Sequence, residues 1–344
     1  MFAYIGCRTT EERHARGKGI SVYAVTGSDW THIQTLPMVN PSYLAFDITK
    51  QYLYTVHGDG NAVSSFRIND DGTLTALNTA TGVGKNPVYI TTAPNNAYIY
   101  VASLQGGQVS SLPINEDGSL GPIASAVHLA GHTASSVSHA HQCELDRTGR
   151  FLLVPTQGRH IGYERVYSIA VNHTTGMLAE VTHTDARTYA EPRHLTVTAD
   201  NRHVYLVNEK GNAVTFYDYD GTTGSVVPRQ ILPSLPDTYT GQGQASAILL
   251  HPNETFLYAT NRIHESVAIY KRDVHTGYLH TIGFTDVRGK TPRFATFIPH
   301  TDTLLVANED SDTLELFNAD ETTGALHHTG VSIPTPSPTS VLFK

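Results

Sequence analysis

Short apolar runs recur along the whole chain at near-even spacing, and hardly any shows the period of a helix. "YLYTVHG" (52–58), "YIYVASL" (98–104), "FLLVPTQ" (151–157), "HVYLVNE" (203–209), "FLYATNR" (256–262) and "TLLVANE" (303–309) form one series, with "FAYIGCR" (2–8) as a seventh member. Each is followed by another apolar run, such as "AVSSFRI", "AVTFYDY" or "SVAIYKR". All but the N-terminal "FAYIGCR" are preceded by a run that mostly opens at a proline, such as "NPSYLAF", "EPRHLTV" or "TPRFATF". Turns such as "NDDGTL", "NEDGSL" and "ETTGAL" then lead into a fourth run. Runs this short, bounded by Gly, Pro, Asn and Asp, are strands.

The spacing decides the architecture. Pro41 and Pro87 are 46 positions apart, as are Pro292 and Pro338. Four short strands in a repeat of about 45 residues make a β-propeller blade. Six repeats are complete. The C-terminal "SPTSVLFK" supplies only a first strand, and the N-terminus supplies only the other three. Joined, they make a seventh blade, which leaves no sheet edge free to aggregate. The pattern predicts an all-β, seven-bladed β-propeller with four antiparallel strands per blade, occupying residues 1–344 as one domain.

Composition narrows the partners. The formal charge of −8 gives no general attraction to nucleic acid or an anionic membrane, so any bound anion needs a local cluster of cations. Two cysteines, Cys7 and Cys143, suggest no disulfide framework. The start, "MFAYIGCRTTEERHARGKG", lacks the basic opening and long apolar core of a secretory signal, and no run reaches membrane-spanning length. The expectation is a cytoplasmic protein, a monomer or weak homo-oligomer.

The repeat also aligns two positions: the residue after the opening proline, and the residue ending the second strand. The pairs are Ser42 and Gly58, Val88 and Leu104, His141 and Gln157, Arg193 and Glu209, Ser246 and Arg262, Arg293 and Glu309, each 16 residues apart. Thr339 and Arg8 form the seventh pair through the termini. The start of one antiparallel strand lies beside the end of the next, and first strands line the axis of a propeller, so these positions should ring one mouth of the channel. The first two blades contribute only small or apolar residues there. His141, Arg193, Glu209, Arg262, Arg293, Glu309 and Arg8 fill the remaining arc, with His57, His139, His160 and His194 nearby.

A single ion pair, such as Arg193 with Glu209, needs no special explanation at a wet channel mouth. Several cations converging on two carboxylates do, and they mark a binding site for an anion. His139 and His141 lack the Cys or Asp partners of a metal site, so neither a metal nor a cofactor is expected. No G-x-S-x-G nucleophile motif is present. The segment 6–19 reads as a flexible loop able to cover the mouth, and "SIPTPSPTS" (332–340) as a rigid connector.

"EPRHLTVTADNRHVYLVNEKGNAVTFYDYD", "FLYATNRIHESVAIYKRDVHTGYL" and "GKTPRFATFIPHTDTLLVANEDSDTLELFNADETTGAL" together resemble the lactonase family of seven-bladed propellers. That family includes propeller-type 6-phosphogluconolactonases and 3-carboxy-cis,cis-muconate cyclases, and the likeness covers essentially the whole chain. In the cyclase members a His, two Arg and a Glu at the channel mouth are proposed to turn over substrate. The resemblance maps these onto His141, Arg193, Glu209 and Arg262. The chain departs from the family pattern at Thr156, Arg159 and Ala247, which makes its mouth more positive. The resemblance implies hydrolysis of a small anionic lactone, with His141 as general base and Glu209 orienting it or acting itself. Arg193 and Arg262 would hold the substrate's acid group and stabilise its oxyanion. Arg8, Arg293, His139, His194 and Glu309 are the expected substrate contacts. A cycloisomerase acting on a muconate-type carboxylic acid, or a non-catalytic anion- or protein-binding propeller, would use the same residues differently.

Overall fold

The computed structural model describes residues 1–344. Seven antiparallel sheets stand around an axis. Blade one spans residues 41–81, blade two 87–128, blade three 139–185, blade four 192–233, blade five 244–286 and blade six 292–334. Blade seven joins Pro338–Phe343 to the strands between Phe2 and Pro37, with Ala3 opposite Phe343 and Ile5 opposite Val341. The first strands of blades four to seven, one and two touch in succession, so they line the axis as the repeat implied. One 3-10 turn, Glu11–Arg13, is the only helix.

The second strand of each blade is apolar at consecutive positions because both of its faces are covered. Side chains alternate across a strand. Val204 and Leu206 therefore join the core shared with blade three, while Tyr205 and Val207 join the core shared with blade five. Tyr4 and its neighbours Ala3 and Ile5 divide in the same way between blades one and six.

An aromatic opening the second strand packs under a turn glycine of the following blade: Phe2 under Gly72, Tyr52 under Gly118, Tyr98 under Gly176, Phe256 under Gly324. At Gly118, φ is +83° and an added Cβ would fall 2.1 Å from Tyr52 Cδ1. Gly118→Ala is expected to cost about 2–4 kcal/mol, combining left-handed backbone strain with overpacking. Urea unfolding measures it; a loss under about 0.5 kcal/mol, the range of an ordinary surface change, would mean that the seam is loose.

Blade three departs from the four-strand pattern. Its inner strand is broken into His139–Ala140 and Glu144–Leu145, both paired with Phe151–Gln157. Between the pieces Gln142 turns sideways and mimics a neighbouring strand. Its Oε1 accepts from Leu195 N at 2.6 Å, and its Nε2 donates to Leu195 O at 3.2 Å. The side chain thus ties the broken inner strand of blade three to the inner strand of blade four.

Candidate active site

The aligned positions point into the channel because each first strand carries a β-bulge there. Pro192 pairs with Asn208 and His194 with Val207, which leaves Arg193 outside the ladder. The same skip frees Ser42, Val88, Arg293 and Thr339. In blade five it spans Ser246 and Ala247. In blade three it falls between Ala140, opposite Thr156, and Glu144, opposite Leu153, the stretch that holds His141. A bulge leaves one residue unpaired and re-aims its side chain, here toward the axis. The second position of each pair behaves differently. Glu209 N donates to Glu191 O and Glu309 N to Thr291 O, one step beyond the ladder. Both acceptor residues are left-handed, with φ of 54° and 59°.

His141, His194, Arg193, Arg293 and Arg8 line one cavity at the mouth, walled by Ser42, Val88 and Thr339. Its volume is about 20 Å³, room for about one water molecule. Below it the channel is plugged. The Tyr43 and Tyr89 rings lie 4.4 Å apart, Phe294 packs on Tyr43 at 6.0 Å, and the Tyr89 hydroxyl donates to Glu144. A ligand must therefore approach from the mouth.

Glu209 is the hub. Its Oε1 lies 3.1 Å from Arg262 Nη2, and its Oε2 lies 3.4 Å from Arg193 Nε without hydrogen-bond alignment. Gln157 Nε2 donates to Oε2 at 2.9 Å, and Arg159 holds Gln157 Oε1 through Nε and Nη2 at 3.1 and 2.9 Å. Arg193 Nη1 also donates to Ser246 O at 2.8 Å. Arg293 pairs with Glu309 at 3.3 Å. The His141 and His194 rings meet edge to face at 5.0 Å. Arg8 pairs with Asp59 at 3.1 Å, and Gly58 gives it passage, since a Cβ there would fall 2.8 Å from Arg8 Nη1.

Burial and this field set the protonation states. Burial would raise Glu209, but Arg262 and Arg193, with the Gln157 bond, bring it down to about 2. Burial, then the cations Arg193, Arg293 and Arg159, hold His141 well below the usual imidazole range. Burial, then Arg193 and His141, do the same to His194. Burial, then Arg262 and Arg293, lower Arg193. At neutral pH the mouth thus offers neutral imidazoles, an ionised carboxylate and converging guanidiniums. Arg8 Nε, His141 Nδ1, Arg193 Nε, His194 Nε2 and Arg262 Nε are buried without a protein hydrogen-bond partner. Buried polar groups are ordinarily paired, so their concentration here is what a site for a polar ligand requires.

The geometry corrects three expectations. His57 is spent on Val39 O and Ser64 Oγ, away from the channel. His139 turns its Nδ1 to Leu104 O at 2.9 Å and does not line the mouth cavity, because the bulge at His141 breaks the alternation that would have put both histidines on one face. The segment after Arg8 is no loose flap. Arg13 pairs with Asp59, Arg16 Nε lies 2.6 Å from Asp312, and Arg16 Nη2 donates to Glu309 O at 2.8 Å, which straps it between blades one and six. The sequence passed over Gln157, although it is the aligned partner of His141, and Asp59, which lies outside both aligned positions. No group of three or more His, Cys, Asp or Glu side chains is gathered as a metal would need.

A family model described as "Lactonase, 7-bladed beta-propeller" matches residues 2–343. The chain belongs to the lactonase family of seven-bladed β-propellers. A Bacteroides fragilis protein put forward as a 6-phosphogluconolactonase superposes with a TM-score of 0.89 at 26% identity, covering 100% of this chain and 97% of that one. The Pseudomonas aeruginosa periplasmic gluconolactonase gives 0.88 at 26% identity, with 99% and 98% covered. The Bacillus subtilis 6-phosphogluconolactonase is 27% identical over 224 residues, 64% of this chain and 62% of that enzyme, so the match spans less than two thirds of that relative.

Within the lactonase frame, the departures have visible consequences. Thr156 is fully buried and spends its hydroxyl on Tyr163 O, and Ala247 N is held by Thr260 Oγ1. Neither supplies an acid to the mouth, whereas Arg159 reaches Glu209 through Gln157. No helix is long and apolar enough to cross a membrane. With one relative named as periplasmic, the fold does not assign a compartment.

Proposed function

We propose that the protein hydrolyses a small anionic sugar-acid lactone of the 6-phosphogluconolactone type, using His141 as general base. The observation that carries this reading is the meeting of a neutral imidazole with guanidiniums at one buried mouth. Family membership and relatives named for gluconolactone chemistry support it. Water oxygen attacks the lactone carbonyl carbon while His141 takes its proton. The carbonyl oxygen becomes an oxyanion beside Arg193 and Arg262, whose charges are already in place. When the ring C–O bond breaks, the imidazolium returns the proton to the leaving ring oxygen. Glu209 stays ionised throughout and fixes both arginines. Arg8, Arg293, Glu309 and His194 shape the field around the reacting atoms.

The test is the initial rate of 6-phosphogluconolactone opening over the spontaneous background, in water enriched in oxygen-18. A clear enzymic rate with label entering the new carboxylate supports hydrolysis, and no rate above background refutes this substrate. The pH profile adds an independent check. His141 is held below its usual range, so its neutral, base-competent form persists on both sides of pH 6.5. The kcat/KM profile should show no inflection there and should fall only at more acidic pH. A fall centred near 6.5 would place the base outside the cationic mouth.

A further inference from the structure

The mouth cavity has room for about one water molecule, and so cannot also take a substrate's phosphate or carboxylate. A second cavity, of about 370 Å³, opens on the other side of Glu209 and is lined by Arg159, His160, Tyr189, Glu191 and Lys210 as well. That is the size of a small-ligand site. Glu209 stands in its wall and simultaneously pairs with Arg193, which lines the mouth cavity, so the two spaces meet at one ion pair.

The second cavity carries two cations whose charge is not spent. Neither Arg159 nor Lys210 has a carboxylate within ion-pair distance, although four other mouth arginines, Arg8, Arg193, Arg262 and Arg293, do. Arg159 binds Gln157 Oε1 through Nε and Nη2 only, which leaves Nη1 for a ligand. Its position is fixed from behind: Arg159 N donates to Glu191 Oε1 at 2.8 Å, and Glu191 is itself buried. Of the two carboxylates in the lining, Glu209 is engaged by two guanidiniums, while Glu191 accepts that backbone bond through Oε1 and keeps its Oε2 buried without a partner, so the net charge a ligand meets is set by Arg159 and Lys210 against Glu191. Tyr189 is 65% exposed, and its ring lies 5.4 Å from that of His160, so the cavity also has an aromatic wall.

We infer that this cavity between blades three and four is the seat of the substrate's anionic group, with Arg159 as the residue that selects for it and Lys210 assisting. The inference rests on the lactonase reading for the identity of the ligand. The reacting carbonyl would then lie toward Glu209 and the mouth, and the acid group 159-side, held by the free guanidinium nitrogen. The chain Arg159–Gln157–Glu209–Arg193 links anion recognition to the reacting end through three contacts.

The experiment compares wild type, Arg159→Ala and Arg159→Lys on 6-phosphogluconolactone and on uncharged gluconolactone, with inorganic phosphate titrated calorimetrically into each protein. Arg159→Ala should raise KM for the phosphorylated lactone at least tenfold more than KM for the uncharged lactone, while any change in kcat, transmitted through Gln157 and Glu209, should be shared by both lactones. Phosphate should bind the alanine variant at least tenfold more weakly, with Arg159→Lys in between. Equal effects on the two KM values, or none, would overturn the selective role. If wild type opens neither lactone, the lactonase reading fails, and the phosphate titration alone decides the seat: unchanged affinity in Arg159→Ala rules it out, and a tenfold loss upholds it.

Discussion

Replacing His141 with alanine should lower kcat for lactone opening by about 10²–10⁴, the span that general-base catalysis contributes. The choice of His141 over Glu209 follows from basicity. A carboxylate brought down to about 2 by Arg262 and Arg193 is a poor proton acceptor at neutral pH. His141 is also depressed in the free protein, first by burial and then by Arg193, Arg293 and Arg159. An anionic substrate offsets part of that cationic field, so the imidazole grows more basic when its substrate arrives. The loss should fall on kcat more than on KM, since His141 makes no charged contact to hold the ligand. His141→Ala removes a buried ring that His194 touches at 5.0 Å, so folding must be checked beside activity by urea unfolding. A folded variant with wild-type kcat would take the base away from blade three altogether.

The repeat was legible because a propeller writes the same physical demands seven times. Apolar second strands and glycine-bearing turns recur along the chain, and a proline opens the inner strand in five of the seven blades, as Tyr52, Gly118 and Pro87 illustrate. The 16-residue pairing was legible for the same reason, and it brought Arg193, Glu209, Arg262 and Arg293 together without any motif. The β-bulge that aims them was not, since a bulge is a register shift between two strands and neither strand announces it alone. The break in blade three depends on Gln142 reaching the Leu195 backbone, a contact between residues 53 apart. The strap formed by Arg13 and Arg16 was missed because composition marks the segment as polar but cannot show that Asp59 and Asp312 stand ready to bind it. The cavity beside Arg159 likewise exists only where blades three and four meet.

Glu209→Gln should cost about 3 kcal/mol of stability at pH 7, because it keeps the side chain's shape and removes only the charge. Glu209 lies at about 2 in the folded protein against an ordinary 4.5. That difference, at 1.36 kcal/mol per unit, gives about 3 kcal/mol. The figure agrees with the cost of about 3–5 kcal/mol for removing one partner of a buried ion pair. The physical source is that burial and then Arg262 lower Arg193's affinity for protons, burial and then Arg293 lower Arg262's, and the Glu209 carboxylate opposes both. The sign of the pH dependence follows. A depressed acid stabilises fully above its unfolded value of 4.5, and that stabilisation disappears as pH falls toward 2. Wild type and Glu209→Gln should therefore differ most at pH 7 and converge between about pH 5 and pH 2, as measured by urea unfolding at matched ionic strength. A gap that stays constant over this range would show that the variant's cost is packing, and that the arginines need no anion beside them. A gap that closes would mean the mouth holds its cations in place only while Glu209 is charged, which is the condition under which a bound anionic substrate can compete for them.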